Sequence, residues 1–131
     1  MAEALSLSQA IGKQLMAWSI VSLILGMVLI ISSPGTFLGG FGLQAIIWGV
    51  INFAIARFIL RRKDEQSIEK EARTIRINIG LEIVYLIIGL IIIVLFFQDP
   101  YMVGNGVGLI FQGFILIFLD LFYYNSLTKL E

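Results

Sequence analysis

Two carboxylates lie inside stretches otherwise apolar enough to cross a bilayer: Glu82, within 79–97, and Asp120, within 108–124. A carboxylate in hydrocarbon is costly, on the order of 2.5–3.5 kcal/mol at mid-membrane on insertion scales and less near an interface. Such a group needs a polar neighbourhood, and adjacent spans must supply it. Two carboxylates in a low-dielectric place resist double ionisation, through desolvation and like charge together. A pair of this kind with amides above it is what a proton relay or a cation site requires. It is equally what a packed bundle uses when hydrogen bonds between helices set register, at an average of about 0.6 kcal/mol each.

The amides sit at helical spacing with the acids. Gln44, Trp48 and Asn52 are spaced by four and climb one face of an apolar stretch. Asn78, Glu82, Tyr85 and Gly89 form a narrow stripe on the next, and Asn105, Gln112, Leu116, Asp120 and Tyr123 share one side of the last. The expectation is an internal polar column built from Glu82, Asp120, Asn52, Asn78, Tyr85, Gln112 and Gln44. Both carboxylates and both asparagines fall in one half of it, within roughly a few helical turns in depth; Gln44 and Gln112 sit higher.

Four helices must position these residues. The chain has 131 residues, of which 59% are hydrophobic and only 14% charged, against about a quarter charged in a soluble domain. A bilayer is the solvent such a composition suits. The spacing predicts a single all-α domain over 1–131, an integral membrane four-helix transmembrane bundle with spans at about 14–33, 38–60, 77–97 and 103–124. Residues 1–13 read as a short lead whose Leu5, Leu7 and Ile11 lie on the membrane surface, with Ser6 or Ser8 available to cap a helix. The missing basic n-region and acidic Glu3 disfavour a secretory signal. Ser33-Pro34-Gly35 ends the first span, and 36–42 reads as a tight glycine-rich connection. Gln98-Asp99-Pro100 stops the third span, and 101–106 reads as another connection.

The run 61–76, with six basic and four acidic residues, reads as a solvated hairpin with a turn near 64–67 and an i, i+4 pair from Glu69 to Arg73. Arg57 and the tyrosines at 123 and 124 read as interfacial anchors, as does Trp18, while Trp48 is deep enough to pack against neighbours. The two outer links carry no Lys or Arg, whereas Lys13, the hairpin and Lys129 share the other side. The positive-inside rule then puts both termini and the hairpin in the cytoplasm.

Much chemistry is excluded. The chain has no cysteine and no histidine, which removes disulfides, thiolate sites, imidazole ligands and imidazole bases. Zero formal net charge suggests no nucleic-acid partner. Gly104-x-Gly106-x-Gly108 follows no strand, so a dinucleotide loop is disfavoured. Gly104 and Gly108 instead form a small-xxx-small pair that suits close helix packing, internal or between copies. No GxSxG element is present, and the Tyr-Asp and Gly-x-Gly-Asp contexts of intramembrane aspartyl proteases are missing.

Three patterns together carry a resemblance: Gln44-x-x-x-Trp48-Gly49-x-x-Asn52, Asn78-x-Gly80-Leu81-Glu82-x-x-Tyr85-x-x-x-Gly89, and Gly106-x-Gly108-x-x-x-Gln112-Gly113 running on to Asp120. Over spans two to four the chain resembles a group of small prokaryotic four-helix membrane proteins classed as a domain of unknown function. The resemblance implies four helices with a polar stripe and brings no activity. Small multidrug transporters fit less well, because their glutamate stands in a first helix that here is uncharged. Fluoride channels and quinone-linked disulfide enzymes lack their defining residues here.

The reading is of a non-enzymatic membrane protein, without cofactor or metal, in a prokaryotic cytoplasmic membrane. Its polar column binds or passes a small cation, proton or polar solute. The rival is an assembly or accessory protein whose polar residues only set helix packing. Expected partners are membrane lipids and further copies of the chain. A lipid-modifying enzyme would instead need a lateral opening beside Glu82 and Asp120.

Overall fold

A computed structural model describes residues 2–62 and 67–130, and they form four α-helices. These are α1 (Ala2–Ser32), α2 (Phe37–Arg61), α3 (Ile68–Leu95) and α4 (Pro100–Thr128). Each is long and apolar enough to span a membrane, so the chain is a small four-span membrane protein. At 1.5 Å per residue even the shortest, with 25 residues, exceeds the hydrocarbon thickness of about 30 Å.

Local chemistry starts and stops the helices. Gly35 takes the left-handed φ of +72° in the turn after α1, a conformation that suits a residue without Cβ. Thr36 caps α2 by accepting from the Gly39 N–H at 3.3 Å. Ser67 caps α3 by accepting from the Lys70 N–H at 3.2 Å, and Glu69 and Glu71 in its first turn complement the helix dipole. Asp99 caps α4, accepting from Tyr101 and Met102, with Pro100 in the first turn where its missing N–H costs nothing.

Several expectations yield to this geometry. The expected lead over 1–13 is, in its described part, no surface segment: α1 already runs from Ala2, Ile11 is buried, and Ser6 and Ser8 lie inside the helix rather than at its cap. Residues 37–42, after the cap Thr36, and 101–106 are not connections but lie in the first turns of α2 and α4. Their glycines are there for contact between helices. A Cβ on Gly40 would collide with the Tyr101 carbonyl, and one on Gly104 with the Phe37 carbonyl. α3 begins at Ile68, so most of the charged run is helix; the turn expected near 64–67 lies largely in 63–66, outside the described residues.

α1 packs on α2 and α3 packs on α4, and α4 joins the two hairpins by packing along α2 and touching α1. The extensive backbone packing of α3 is with α4. α2 and α4 are drawn together at the Gly40–Gly104 crossing, and α3 and α4 at Gly89, where an added Cβ would stand 2.8 Å from the Gly106 carbonyl. Towards the end of the bundle holding the 61–76 segment, a core of Ile11, Ala72, Ile75, Tyr123 and Leu127 closes the interior. Outward, Ile83, Val84, Ile87, Leu90, Ile91 and Val94 leave α3 with an exposed hydrocarbon face suited to acyl chains.

Candidate functional site

The α3 stripe places Glu82 inward. Its side chain is 6% exposed, and its carboxyl meets that of Asp120 on α4 within hydrogen-bonding reach. Glu82 Oε1 itself has no hydrogen-bond partner among the described residues. Asn52, 1% exposed on α2, likewise leaves its Nδ2 unpaired. Among the described residues the one ion pair joins Arg62 to Glu71, so neither Glu82 nor Asp120 has a cationic partner there. Arg57 is exposed on α2 and pairs with neither.

Glu82, Asp120, Asn52, Asn78 and Tyr85 all line one cavity of about 320 Å³. Its side walls are α2 from Trp48 to Ile59 with the C-cap Arg62, and α3 from Glu71 to Tyr85; α4 forms the back, with Ser8, Ile11 and Leu15 of α1 beside it. Most of this lining is apolar. On the outer side its lips are exposed residues of the two walls, Ile55 and Phe58 from α2 and Leu81 and Asn78 from α3. The opening beside the carboxyl pair is therefore lateral, between α2 and α3. At one end Trp48 and Tyr85 close the gap as a tilted aromatic pair with ring centroids 4.7 Å apart.

The other end is closed by a cluster whose charged members, Arg62 and Glu71, belong to the run expected to be solvated. Arg62 Nη2 donates to Glu71 Oε1 and, at 2.8 Å, to Ser8 Oγ; Tyr123 OH donates to Glu71 Oε2 at 3.2 Å. Glu71 is 4% exposed and Tyr123 is buried, so Tyr123 is no interfacial anchor, and Tyr124 packs against the same core. The ion pair runs to Arg62 from Glu71, not between Glu69 and Arg73. One signal for this cluster was present: residues 71, 75, 78, 82, 85 and 89 continue a single stripe at spacings of four and three. Glu71, Ile75, Glu82 and Gly89 on that stripe are all buried.

Gln44 and Gln112 do not share the cavity, so the continuous column expected from spacing is broken into separate polar contacts. Gln44 Nε2 donates to Asn105 Oδ1 at 2.9 Å, tying α2 to α4. Gln112 accepts from Trp18 Nε1 at 3.1 Å and donates to Ser22 Oγ at 3.1 Å, and Ser22 in turn donates to the Ala45 carbonyl at 2.7 Å. Trp18 thus points into the bundle instead of anchoring at an interface, and α1 is part of the polar interior although spans two to four were expected to supply it.

Residues 14–121 match a family model described as a family of unknown function, DUF6992. No curated protein and no solved structure matches the chain.

Proposed function

The chain belongs to the DUF6992 family, and we propose that it binds a proton or small cation at the Glu82–Asp120 pair and passes it, or a polar solute coupled to it, across the membrane. One observation carries this reading: a buried carboxyl facing a second carboxyl, with an unpaired oxygen beside a cavity and, among the described residues, no cationic side chain to neutralise either. Two carboxyl groups approach as hydrogen-bond partners when one carries a proton, and a bridging cation serves the same end. A role in exchanging such an ion follows from its placement on a cavity rather than in sealed packing.

The proposed protein is non-enzymatic, with both termini and the 61–76 segment cytoplasmic, as the distribution of Lys and Arg supports. Because the chain has no cysteine, single cysteines placed at Ser67 and Gly35 report orientation without background labelling. Lipid covers the outer face of α3 in this reading, and further copies of the chain complete any pore, since four helices enclose little interior.

The test is flux. Wild-type protein in vesicles with a trapped pH dye and a clamped potential dissipates an imposed proton or cation gradient. Glu82→Gln abolishes that flux while circular dichroism shows the same helicity. The packing role is the second reading, and Gln44 and Gln112 favour it for themselves, since both bond across helices away from the cavity. Unchanged flux in Glu82→Gln with a shifted melting temperature would extend that role to the acids and remove the ion reading.

A further inference from the structure

The cavity beside Glu82 is larger and more apolar than a proton or metal ion needs. About 320 Å³ lies at the small end of the ~300–1,000 Å³ found for small-molecule sites. Ile51, Ile55, Leu81 and Leu119 present hydrocarbon to it. Three of these, Ile51, Ile55 and Leu81, are also exposed at the outer surface of α2 and α3, at heights that acyl chains occupy in a four-span protein. An occupant that partitions into lipid reaches the carboxyl pair sideways. One arriving from water at the end holding 61–76 meets the Arg62–Glu71–Tyr123–Ser8 cluster instead.

The polar features of the cavity select the head group of such an occupant. Among the described residues Glu82 Oε1 is an unpaired acceptor, and Asp120 stands beside it without a cation. The Asn52 Nδ2 is unpaired among the described residues, so no bond from it fixes the amide, which can turn its oxygen towards a donor. Trp48 and Tyr85 supply aromatic rings in the same cavity, and aromatic faces attract cations. Acceptors, a carboxyl pair without a cation and aromatic rings inside apolar walls are complementary to one chemistry, an ammonium head on an apolar body.

We propose that the cleft between α2 and α3 binds a small lipophilic amine, its ammonium N–H groups on Glu82 and Asp120 and its apolar body against Leu81, Ile51 and Ile55. This deepens the cation reading above and rests on the same carboxyl pair, but it does not require transport.

The probes are 4-phenylbutylamine, protonated at neutral pH, and 4-phenylbutanol, its uncharged counterpart. Binding is read from Trp48 fluorescence in nanodiscs, with Trp48→Phe to identify the signal. Wild type binds the amine saturably and the alcohol about 10-fold more weakly, as one charge-assisted hydrogen bond implies. Glu82→Gln weakens the amine about 10-fold and leaves the alcohol unchanged; Asp120→Asn gives the same reading if the first variant does not fold. Leu81→Trp, which fills the cleft, weakens both. Equal binding of amine and alcohol, unchanged amine affinity in both acid variants, or no saturable binding by folded wild type would each overturn the proposal. Glu82-dependent flux without amine binding leaves the ion reading standing alone. Glu82-dependent amine binding without flux removes transport and keeps the site.

Discussion

Trp48 and Tyr85 meet across the gap between α2 and α3, with ring centroids 4.7 Å apart and planes inclined at 55°. The two helices share little close backbone packing, so this aromatic contact is their clasp at the end of the cavity away from the 61–76 segment. It sets how far the lateral opening extends towards Gln44 and Gly89.

Cutting that clasp has a modest and measurable cost. Burying an aromatic ring against protein instead of lipid gains little hydrophobic energy, so what is lost is the ring–ring term, about 0.5–1.5 kcal/mol. A double-mutant cycle over Trp48→Leu and Tyr85→Leu, read by unfolding in mixed micelles, should return a coupling of that size. A coupling indistinguishable from zero would show that the rings do not hold α2 to α3.

The helix crossing at Gly104 tolerates no side chain. A Cβ there would enter the Phe37 backbone, which cannot move without shifting the start of α2. Gly104→Ala is therefore expected to destabilise by about 1–3 kcal/mol, the range for overpacking. Gly80 is the control: it is exposed on α3 with nothing within 4 Å of an added Cβ. Gly80→Ala should raise stability by about 0.5–1 kcal/mol, because the loss of backbone freedom on folding is smaller. Thermal melts of the two variants should move in opposite directions.

Arg62 neutralises Glu71 where Glu71 is buried. Removing the arginine alone leaves a carboxylate without its cation, which in a buried pair costs about 3–5 kcal/mol. Arg62→Met should show that loss, and Arg62→Met with Glu71→Leu should regain most of it. Arg62 is 18% exposed, so the measured loss should fall towards the lower end. If the double variant is as unstable as the single one, the cluster holds the bundle through more than charge compensation.

Gln112 separates packing from ion binding. Gln112→Leu leaves Trp18 Nε1 and Ser22 Oγ without their partner. Interhelical hydrogen bonds in membranes average about 0.6 kcal/mol, so stability should drop by roughly that for each of the two bonds. The flux proposed for the Glu82 site should stay at the wild-type level, since Gln112 lies outside the cavity lining. Loss of flux with intact helicity would place Gln112 on the ion's route and restore a continuous column.

The amino-acid sequence by itself determined that this chain forms four membrane-length helices. That follows from length, apolarity and the sparing of charge inside the spans, which are properties of a segment and its solvent. It also determined that Glu82 faces inward, because Asn78, Tyr85 and Gly89 fix a stripe at helical period. Only the tertiary structure decided which stripes meet. Helical spacing orders residues along one face but leaves the rotation and separation of neighbouring helices free. Gly40 against Tyr101 and Gly104 against Phe37 draw α2 to α4, while α3 packs along α4. The remaining space between α2 and α3 becomes a cavity holding Glu82, Asp120 and Asn52, and Gln44 and Gln112 are turned to other partners. Glu71 shows the same limit: composition puts a glutamate in a charged run in water, and hydrogen bonds from Arg62, itself held on Ser8, and from Tyr123 on α4 take it out.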